Sequence, residues 1–388
     1  MHNIRRSIRL LSVESIITSG VFAMPIFTSF FQYEIGMTMT QIALSQSLFT
    51  VALLVLNVPA GWIADRFSRK WCNIAGDLIC VGGFFGYSQA TTFFDIVVFE
   101  IVLGIGLAFS GGADFALFKA YSAIAGLSYE KLIARITSWR FVMEIAAVLI
   151  GGYIGATNPR LAIGLSAAQS AIGAVLSLFI VEAGERRVTE SHPLRDMVNI
   201  TRYALSENRP LALRIAAFVI GREATHHLVW LLTPLALLAG VPPWLVGTAW
   251  AFNLASAWLG SNVAHRYSLH MSDAMIIFVG CITYVLAGLA LSVSVSLMTI
   301  GLYAGFGFAR GWYAATLIPM VQRHTPADIQ TTVLSVAGSV AQIVYIPAGW
   351  LLGYLADISL QTSVLGSMII FLPAFAWVIL AIQRSERR

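Results

Sequence analysis

The sequence predicts an all-α membrane protein with twelve transmembrane helices in two pseudo-symmetric six-helix halves, with both termini in the cytoplasm. Composition is the first reason: the 388 residues are 58% hydrophobic and only 11% charged, and the mean hydropathy is +0.79. Soluble domains have about a quarter of their residues charged. The second reason is that the apolar residues fall into runs of about 20, the length that spans a bilayer. The third is that Lys and Arg are concentrated in alternate loops.

A charged stretch separates two sets of six apolar runs. The first six lie near residues 11–31, 42–63, 71–90, 93–118, 137–157 and 160–182. The second six lie near residues 211–238, 243–264, 272–292, 295–320, 332–355 and 362–383. We therefore expect an N-terminal six-helix half (1–182), a cytoplasmic linker (183–210) and a C-terminal six-helix half (211–388). The first run follows a basic start like that of a signal peptide, but the runs after it and the absence of a small-residue cleavage site indicate a retained helix.

The basic residues predict the orientation. With the N-terminus inside, Arg160 is the one Lys or Arg in the predicted outer loops, and all the other Lys and Arg residues outside the spans lie in seven inner segments. Positively charged short loops resist translocation, so both termini are expected in the cytoplasm. Because the net charge of +5 is spread over these segments, we expect no nucleic-acid partner. The short loops favour a bacterial inner (plasma) membrane.

One loop carries a dense group of charges in this apolar chain. Residues 61–70 read GWIADRFSRK and join predicted spans 2 and 3. The loop resembles the G-x-L-x-D-R-x-G-R-[KR] signature of the major facilitator superfamily, with Ile63 and Ser68 replacing the usual Leu and Gly. The matching residues are Gly61, Asp65, Arg66, Arg69 and Lys70. The resemblance implies a secondary transporter whose loop holds the two halves together on the cytoplasmic side while the cavity opens outward.

Internal repeats support two related halves. Residues 64–68 (ADRFS) resemble residues 264–268 (AHRYS), which lie between predicted spans 8 and 9. A second match, at an offset of 196, relates residues 108–114 to 304–310 and suggests that Asp114 and Arg310 are symmetry mates of opposite charge. Two six-span halves related by an axis along the membrane normal are the plan of this superfamily.

Ionisable residues inside the predicted spans are the candidates for transport chemistry, because charges in a membrane interior are costly and commonly mark a pathway, a proton relay or an ion pair. In the fold that the resemblance implies, spans 1, 4, 7 and 10 line the central cavity. Glu223 lies roughly 18 Å along its helix, near mid-membrane, at the 1.5 Å rise of an α-helix. The candidate residues for substrate binding or proton coupling are Arg222, Glu223, His226, His227, Arg310, Asp114 and Glu100.

Each role follows from the chemistry of the side chain. Arg222 and Arg310 suit a carboxylate or another anion. Glu223 suits a coupled proton and His226 or His227 a proton relay. The alternative is a self-neutralised structural network, in which Glu223 only compensates Arg222. Residues four apart share a helix face; Arg140 and Glu144 have this spacing and are expected to form a structural pair. Glu14 and Asp77, near the cytoplasmic side, are potential gate contacts without an assigned role.

The expected function is secondary active transport of a small organic molecule, with proton-coupled export (antiport) as the first reading. The alternative is proton-coupled uptake of an anionic metabolite or chelator such as a siderophore; a non-transporting membrane sensor is the reading from another class. Glu100 stands where many drug–proton antiporters of the superfamily carry an Arg, which counts against ordinary drug–proton antiport. A mid-membrane cluster with two Arg and two His fits cationic drugs poorly. We find no nucleophile motif, metal-ligand pattern or phosphate loop, so no enzyme activity, metal or other cofactor is expected. The expected partners are the substrate, protons and lipid, and the chain is expected to be a monomer.

Overall fold

The computed structural model describes residues 2–183, 193–326 and 329–386. In these residues all regular structure is helical. The α-helices of the first half of the chain are α1 (His2–Ser19), α2 (Phe27–Ser29), α3 (Met39–Arg66), α4 (Arg69–Gln89), α5 (Phe93–Ala125), α6 (Tyr129–Gly155) and α7 (Pro159–Leu178). The later ones are α8 (Pro193–Arg202), α9 (Arg209–His226), α10 (Leu232–Leu238), α11 (Val246–Tyr267), α12 (Asp273–Val293), α13 (Leu297–Leu302), α14 (Ala304–Arg323), α15 (Gln330–Ile358) and α16 (Leu360–Glu386).

Each predicted apolar run coincides with one helix or with consecutive helices. Among the described residues, six segments are long and apolar enough to cross a membrane: Met39–Asn57, Phe93–Ala125, Pro159–Leu178, Asp273–Val293, Thr332–Ile358 and Leu360–Glu386. Large apolar side chains such as Phe94, Leu286 and Ile369 are exposed on these helices, as expected where lipid is the solvent. The predicted all-α class is confirmed, while the count of twelve spans and the side of the termini stay predictions.

The chain forms two compact units. One consists of Met1–Thr189 with Pro242–Ala251, and the other of Glu190–Val241 with Phe252–Arg388. Residues 184–192 of the predicted linker lie outside the described residues. The remainder of that linker contains α8 and a π-helical turn at Tyr203–Glu207, which the sequence analysis did not predict. Ile200, Tyr203 and Ala204 pack into a buried apolar cluster with residues of α9, α14 and α15.

Three predicted spans are interrupted rather than continuous. The first has a turn at residues 20–26, between α1 and α2. The seventh changes from α-helix to a 3-10 segment, His227–Leu231, before α10. Pro234 lacks a backbone N–H, so the Trp230 carbonyl loses its α-helical partner, which favours this change. The tenth is divided at Tyr303, between α13 and α14.

Within the N-terminal unit, contacts gather at two opposite ends of the helices. At one end, the Arg160 guanidinium donates to the Ser88 carbonyl (2.8 Å) and lies 3.7 Å from the Glu34 carboxylate. At the other end, the Val181 N–H donates to Ser7 Oγ (3.0 Å). The residues of the charged loop, 61–70, belong to this second end.

Candidate functional site

The charged loop is short because two helices meet there. α3 ends at Arg66 and α4 begins at Arg69. Ser68 is the N-cap of α4, and its Oγ accepts a hydrogen bond from the Trp71 N–H (3.1 Å). An N-cap hydroxyl satisfies one of the backbone donors that the first helical turn leaves free. Ser68, which departs from the family signature, is therefore the residue that starts α4.

A carboxylate that is distant in sequence, from Glu182, binds the backbone at the start of α4. Glu182 accepts hydrogen bonds from the Ser68 hydroxyl, from the Arg69 N–H (3.3 Å) and from the Lys70 N–H (3.2 Å). The Lys70 ammonium group donates to the Leu178 carbonyl (2.8 Å). A negative charge at a helix N-terminus is also favoured by the helix dipole. These contacts fasten the loop to the end of α7.

The other loop residues are described in part. Gly61 and Asp65 belong to α3, and the Asp65 side chain lies outside the described part of the structure. The Arg66 guanidinium lies over the Trp62 ring, 5.1 Å from its centroid. The predicted role of the loop in holding two halves together stays a prediction. The sequence did not connect Glu182 with this loop, because Glu182 lies more than a hundred residues further along the chain, at the end of the sixth apolar run.

Two features of helix packing repeat in the two halves at offsets that differ from the 196 of the second sequence match. Ser68 caps α4, whereas α12 is capped by Ser272 and not by Ser268. The Cβ positions of Gly104 and Gly307 would contact the carbonyl oxygens of Phe49 (2.7 Å) and Asn253 (2.4 Å), so the two glycines hold equivalent close approaches. These equivalences give offsets of 203 or 204 residues. They do not place Asp114 opposite Arg310 in sequence.

The predicted cluster of span 7 lies where that span changes its helical form. Glu223 is 2% exposed, and its Oε1 is 3.4 Å from the Nε of Arg222, whose side chain is 35% exposed. Neither carboxylate oxygen has a hydrogen-bond partner among the described residues. Glu223 is thus a buried acid beside a half-buried cation.

Two histidines occupy the junction itself. His226 is the last residue of α9, and its ring lies 5.1 Å from that of Tyr345 in α15. His227 begins the 3-10 segment, its Nδ1 lies 2.8 Å from the Glu223 carbonyl, and its ring stacks on Phe371 of α16 (5.7 Å). Its Nε2 is buried without a hydrogen-bond partner in the described part of the chain. Both rings are therefore held by aromatic packing.

Arg310 belongs to the same neighbourhood. It interacts electrostatically with His226 and with Tyr303. The Tyr303 hydroxyl donates to the Leu228 carbonyl in the 3-10 segment. The structure therefore brings Arg222, Glu223, His226, His227 and Arg310 together, at the interruption of span 7 and next to that of span 10.

The remaining predicted residues lie in the N-terminal unit. Glu100 on α5 is buried and accepts a hydrogen bond from the Gln46 amide of α3. Asp114, also on α5, accepts from the Phe115 N–H (2.6 Å) and interacts electrostatically with Arg140 of α6. Arg140 and Glu144 lie one turn apart on α6, and their structural pairing stays a prediction.

A second charged network, in the C-terminal unit, was not predicted. Asp273, at the start of α12, lies 3.0 Å from Arg214 of α9 and 2.9 Å from Arg323 of α14, and 3.9 Å from His324. Arg214 also lies 3.5 Å from Glu386 at the end of α16. In buried ion pairs of this kind, the attraction between the opposite charges offsets the cost of removing them from water. The sequence shows opposite charges near the ends of these helices, but it does not show which helix ends lie next to each other.

Long apolar helices with ionisable residues buried at helix interruptions are typical of multi-pass membrane transport proteins. The family model of the major facilitator superfamily matches residues 11–349, and the chain belongs to this superfamily. The resemblance seen in the charged loop is thereby confirmed.

Solved transporter structures share the fold over nearly the whole chain. A mutant structure of the nucleoside transporter NupG aligns with a TM-score of 0.82 and 14% identity, covering 98% of this chain and 99% of that chain. A D-xylose–proton symporter aligns with a TM-score of 0.77 and 8% identity (98% and 97% covered). A bacterial homologue of the human lysosomal transporter Spinster aligns with a TM-score of 0.72 and 14% identity (98% and 96% covered). No curated protein matches the chain in sequence.

Proposed function

We propose that this chain is a proton-coupled secondary transporter of a small polar organic molecule. In this proposal the substrate binds at the interruption of span 7 and crosses the membrane by alternating access. Glu223 carries the coupled proton. The observation that carries the proposal is the Glu223 carboxylate, which is buried beside Arg222 with both oxygens lacking hydrogen-bond donors in the described structure. Burial favours the protonated form of a carboxyl group, and a nearby cation favours the ionised form. A conformational change that alters the burial of Glu223 or its distance from Arg222 would therefore bind or release a proton, as coupling requires.

The helix interruption supports a binding role for the same place. Discontinuous helices in transporters free backbone groups for substrate or ions where the backbone lines a cavity. Here the change from α-helix to 3-10 segment falls between His226 and His227. Arg222 and Arg310 bring two guanidinium groups close to this interruption. Guanidinium groups suit a substrate with a carboxylate, phosphate or other anionic group.

We propose that the protein exports its substrate by proton antiport. It would lie in a bacterial inner membrane with both termini on the cytoplasmic side. Proton-coupled uptake is the second candidate, since a protein of the same fold is a D-xylose–proton symporter. The uptake candidate includes an anionic metabolite or chelator. The transported species is the same class in both cases, and the sign of proton movement distinguishes them.

Proteoliposomes with an internal pH-sensitive dye test the proposal. Panels of small organic anions, neutral nucleosides and sugars, and organic cations are added outside, with protein-free liposomes as the control. We expect an anion of the panel to change the internal pH: acidification on its entry indicates symport, and alkalinisation indicates antiport. Substrate flux without any proton movement would contradict proton coupling. Proton movement with cations alone would contradict the anionic substrate.

A further inference from the structure

A second pair of buried acids lies in the N-terminal unit, away from the residues assigned to substrate. Glu14 of α1 is 3% exposed and Asp77 of α4 is 5% exposed. Asn73, one turn before Asp77 on α4, contacts Glu14, and the two carboxyl groups interact electrostatically with each other. Two ionised carboxylates repel and have no proton to donate, so a favourable contact between them requires a proton on one of them.

The surroundings offer the pair little other compensation. Asn73 Nδ2 contacts Glu14 Oε1 at 3.5 Å and also donates to Ser177 Oγ of α7 (3.1 Å). Glu14 Oε2 and Asp77 Oδ2 are buried without a hydrogen-bond partner among the described residues. Gly173 of α7 packs against Asp77, since a Cβ at this position would lie 3.2 Å from Asp77 Oδ2. Two ionised carboxylates in this site would be strongly destabilised by burial and by mutual repulsion.

The charged and titratable groups facing the pair are few. α5 contributes the Asp114 carboxyl, which adds negative charge near both acids. α4 itself contributes the Cys80 thiol, near Asp77. α6 contributes Arg140, which interacts with Asp114. α7 faces the pair with Ser177 and Gly173, neither of which titrates.

We propose that Glu14 and Asp77 form a second proton-binding site, in which the two carboxyl groups share one exchangeable proton. Loss of this proton places two negative charges in contact between α1 and α4. The resulting repulsion favours separation of these helices, five residues before α1 ends at Ser19. Protonation of the pair is thus linked to how closely α1 approaches α4, since both helices pack against α7. The inference does not depend on the function proposed for Glu223, which lies in the other unit.

Infrared spectroscopy of the protein in lipid nanodiscs tests this site, because a protonated carboxyl group has its own carbonyl stretching band. Spectra are recorded through a pH titration for wild type, Glu14→Gln, Asp77→Asn and the double variant. We expect wild type to bind its two protons in two steps at well-separated pH values, because the first proton relieves the repulsion between the carboxylates and the second enters a pair that already shares one. Each single variant is expected to show one step at a pH between those two, and the double variant none. Glu34→Gln, which changes a surface acid of the same unit, is the control and is expected to lose none of this band.

Two wild-type steps at the same pH, or single-variant midpoints equal to those of wild type, would overturn the shared proton. Replacing choline by sodium in the buffer is expected to leave the titration unchanged, and a sodium-dependent shift would indicate a cation site instead. Thermal unfolding checks that each variant folds. If the amide variants do not fold, Glu14→Asp and Asp77→Glu retain both carboxyl groups. These two variants are expected to keep the band with an altered pH midpoint, and an unaltered midpoint would also contradict the proposal.

Discussion

At the scale of single residues, the acidic side chains of this apolar chain differ in the partners that surround them. Asp273 is compensated by two arginines, Glu182 accepts from a helix N-terminus, and Glu223 has one counter-ion and no hydrogen-bond donor in the described structure. Compensated acids stabilise the fold, whereas an under-compensated buried acid is available for protonation. This difference separates the structural acids from the one assigned to coupling.

The Asp273 network predicts a large loss of stability on substitution. Asp273→Asn leaves the buried Arg214 with a weaker partner, and removing one member of a buried ion pair costs about 3–5 kcal/mol. The measurement is the free energy of unfolding in detergent. Glu207→Gln is the control, because Glu207 pairs with Arg202 at 3.1 Å on the surface, where pairs contribute about 0–1 kcal/mol. Equal losses for the two variants would contradict the structural role of Asp273.

At the scale of elements, the starts and interruptions of helices carry the local information. Thr38, Thr92 and Ser296 form capping boxes at the starts of α3, α5 and α13. Ser68 and Ser272 cap α4 and α12 at equivalent places in the two halves. Interruptions lie in spans 1, 7 and 10, and the one in span 7 contains the proposed site.

The cap of α4 predicts a modest and local effect. Ser68→Ala removes the acceptor of the Trp71 N–H and the donor to Glu182, and loss of an N-cap costs about 1 kcal/mol. Hydrogen exchange is expected to be faster at the first amides of α4. Ser68→Gly restores the residue of the family signature and is expected to cost only a few tenths of a kcal/mol. Unchanged exchange in the Ala variant would show that Glu182 alone holds the helix start.

The interruption of span 1, at residues 20–26, packs closely against α6. A Cβ on Gly151 would lie 1.8 Å from the Phe22 carbonyl oxygen, so Gly151→Ala forces the two segments apart. We expect a loss of about 1–3 kcal/mol, the usual range for overpacking. Gly164→Ala in α7 is the matched control, since nothing lies within 4 Å of its Cβ position. There the change is expected to be neutral or to stabilise the helix by up to about 1 kcal/mol. Stability of Gly151→Ala equal to that of Gly164→Ala would contradict the close packing.

At the scale of the whole molecule, composition and periodicity predict the helices well, but they do not predict which distant residues are in contact. The apolar runs predicted where helices occur, because the need for internal hydrogen bonding in lipid makes long apolar runs helical. The interruption at Tyr303 and the helix α8 were missed, since neither changes the mean hydropathy of its run. Span 7 residues were brought together as expected, because spacing of three and four fixes a helix face. Arg214 with Asp273, and Glu14 with Asp77, were not predicted as pairs, because only the packing of the folded chain decides which helices meet.

The predicted orientation can be checked on the whole chain. After Cys72, Cys80 and Cys281 are replaced by Ser, Arg160→Cys is expected to react with a membrane-impermeant maleimide added outside intact cells. Glu207→Cys is expected to react only after the cells are opened, because the linker is predicted to be cytoplasmic. Both side chains are exposed or half-exposed, so access depends on the side of the membrane. The reverse pattern would contradict the distribution of basic residues as the guide to topology.

The central claim is that Glu223 couples protons to substrate movement, and its most direct measurement compares two transport modes in proteoliposomes. One mode is transport driven by an imposed pH gradient, and the other is exchange of labelled for unlabelled substrate without a gradient. Glu223→Gln is expected to abolish the gradient-driven mode and to retain exchange, because the amide keeps the size of the side chain and cannot cycle a proton. The control, Glu207→Gln, is expected to keep both modes. Retention of gradient-driven transport by Glu223→Gln would contradict the account and leave Glu223 as a structural partner of Arg222.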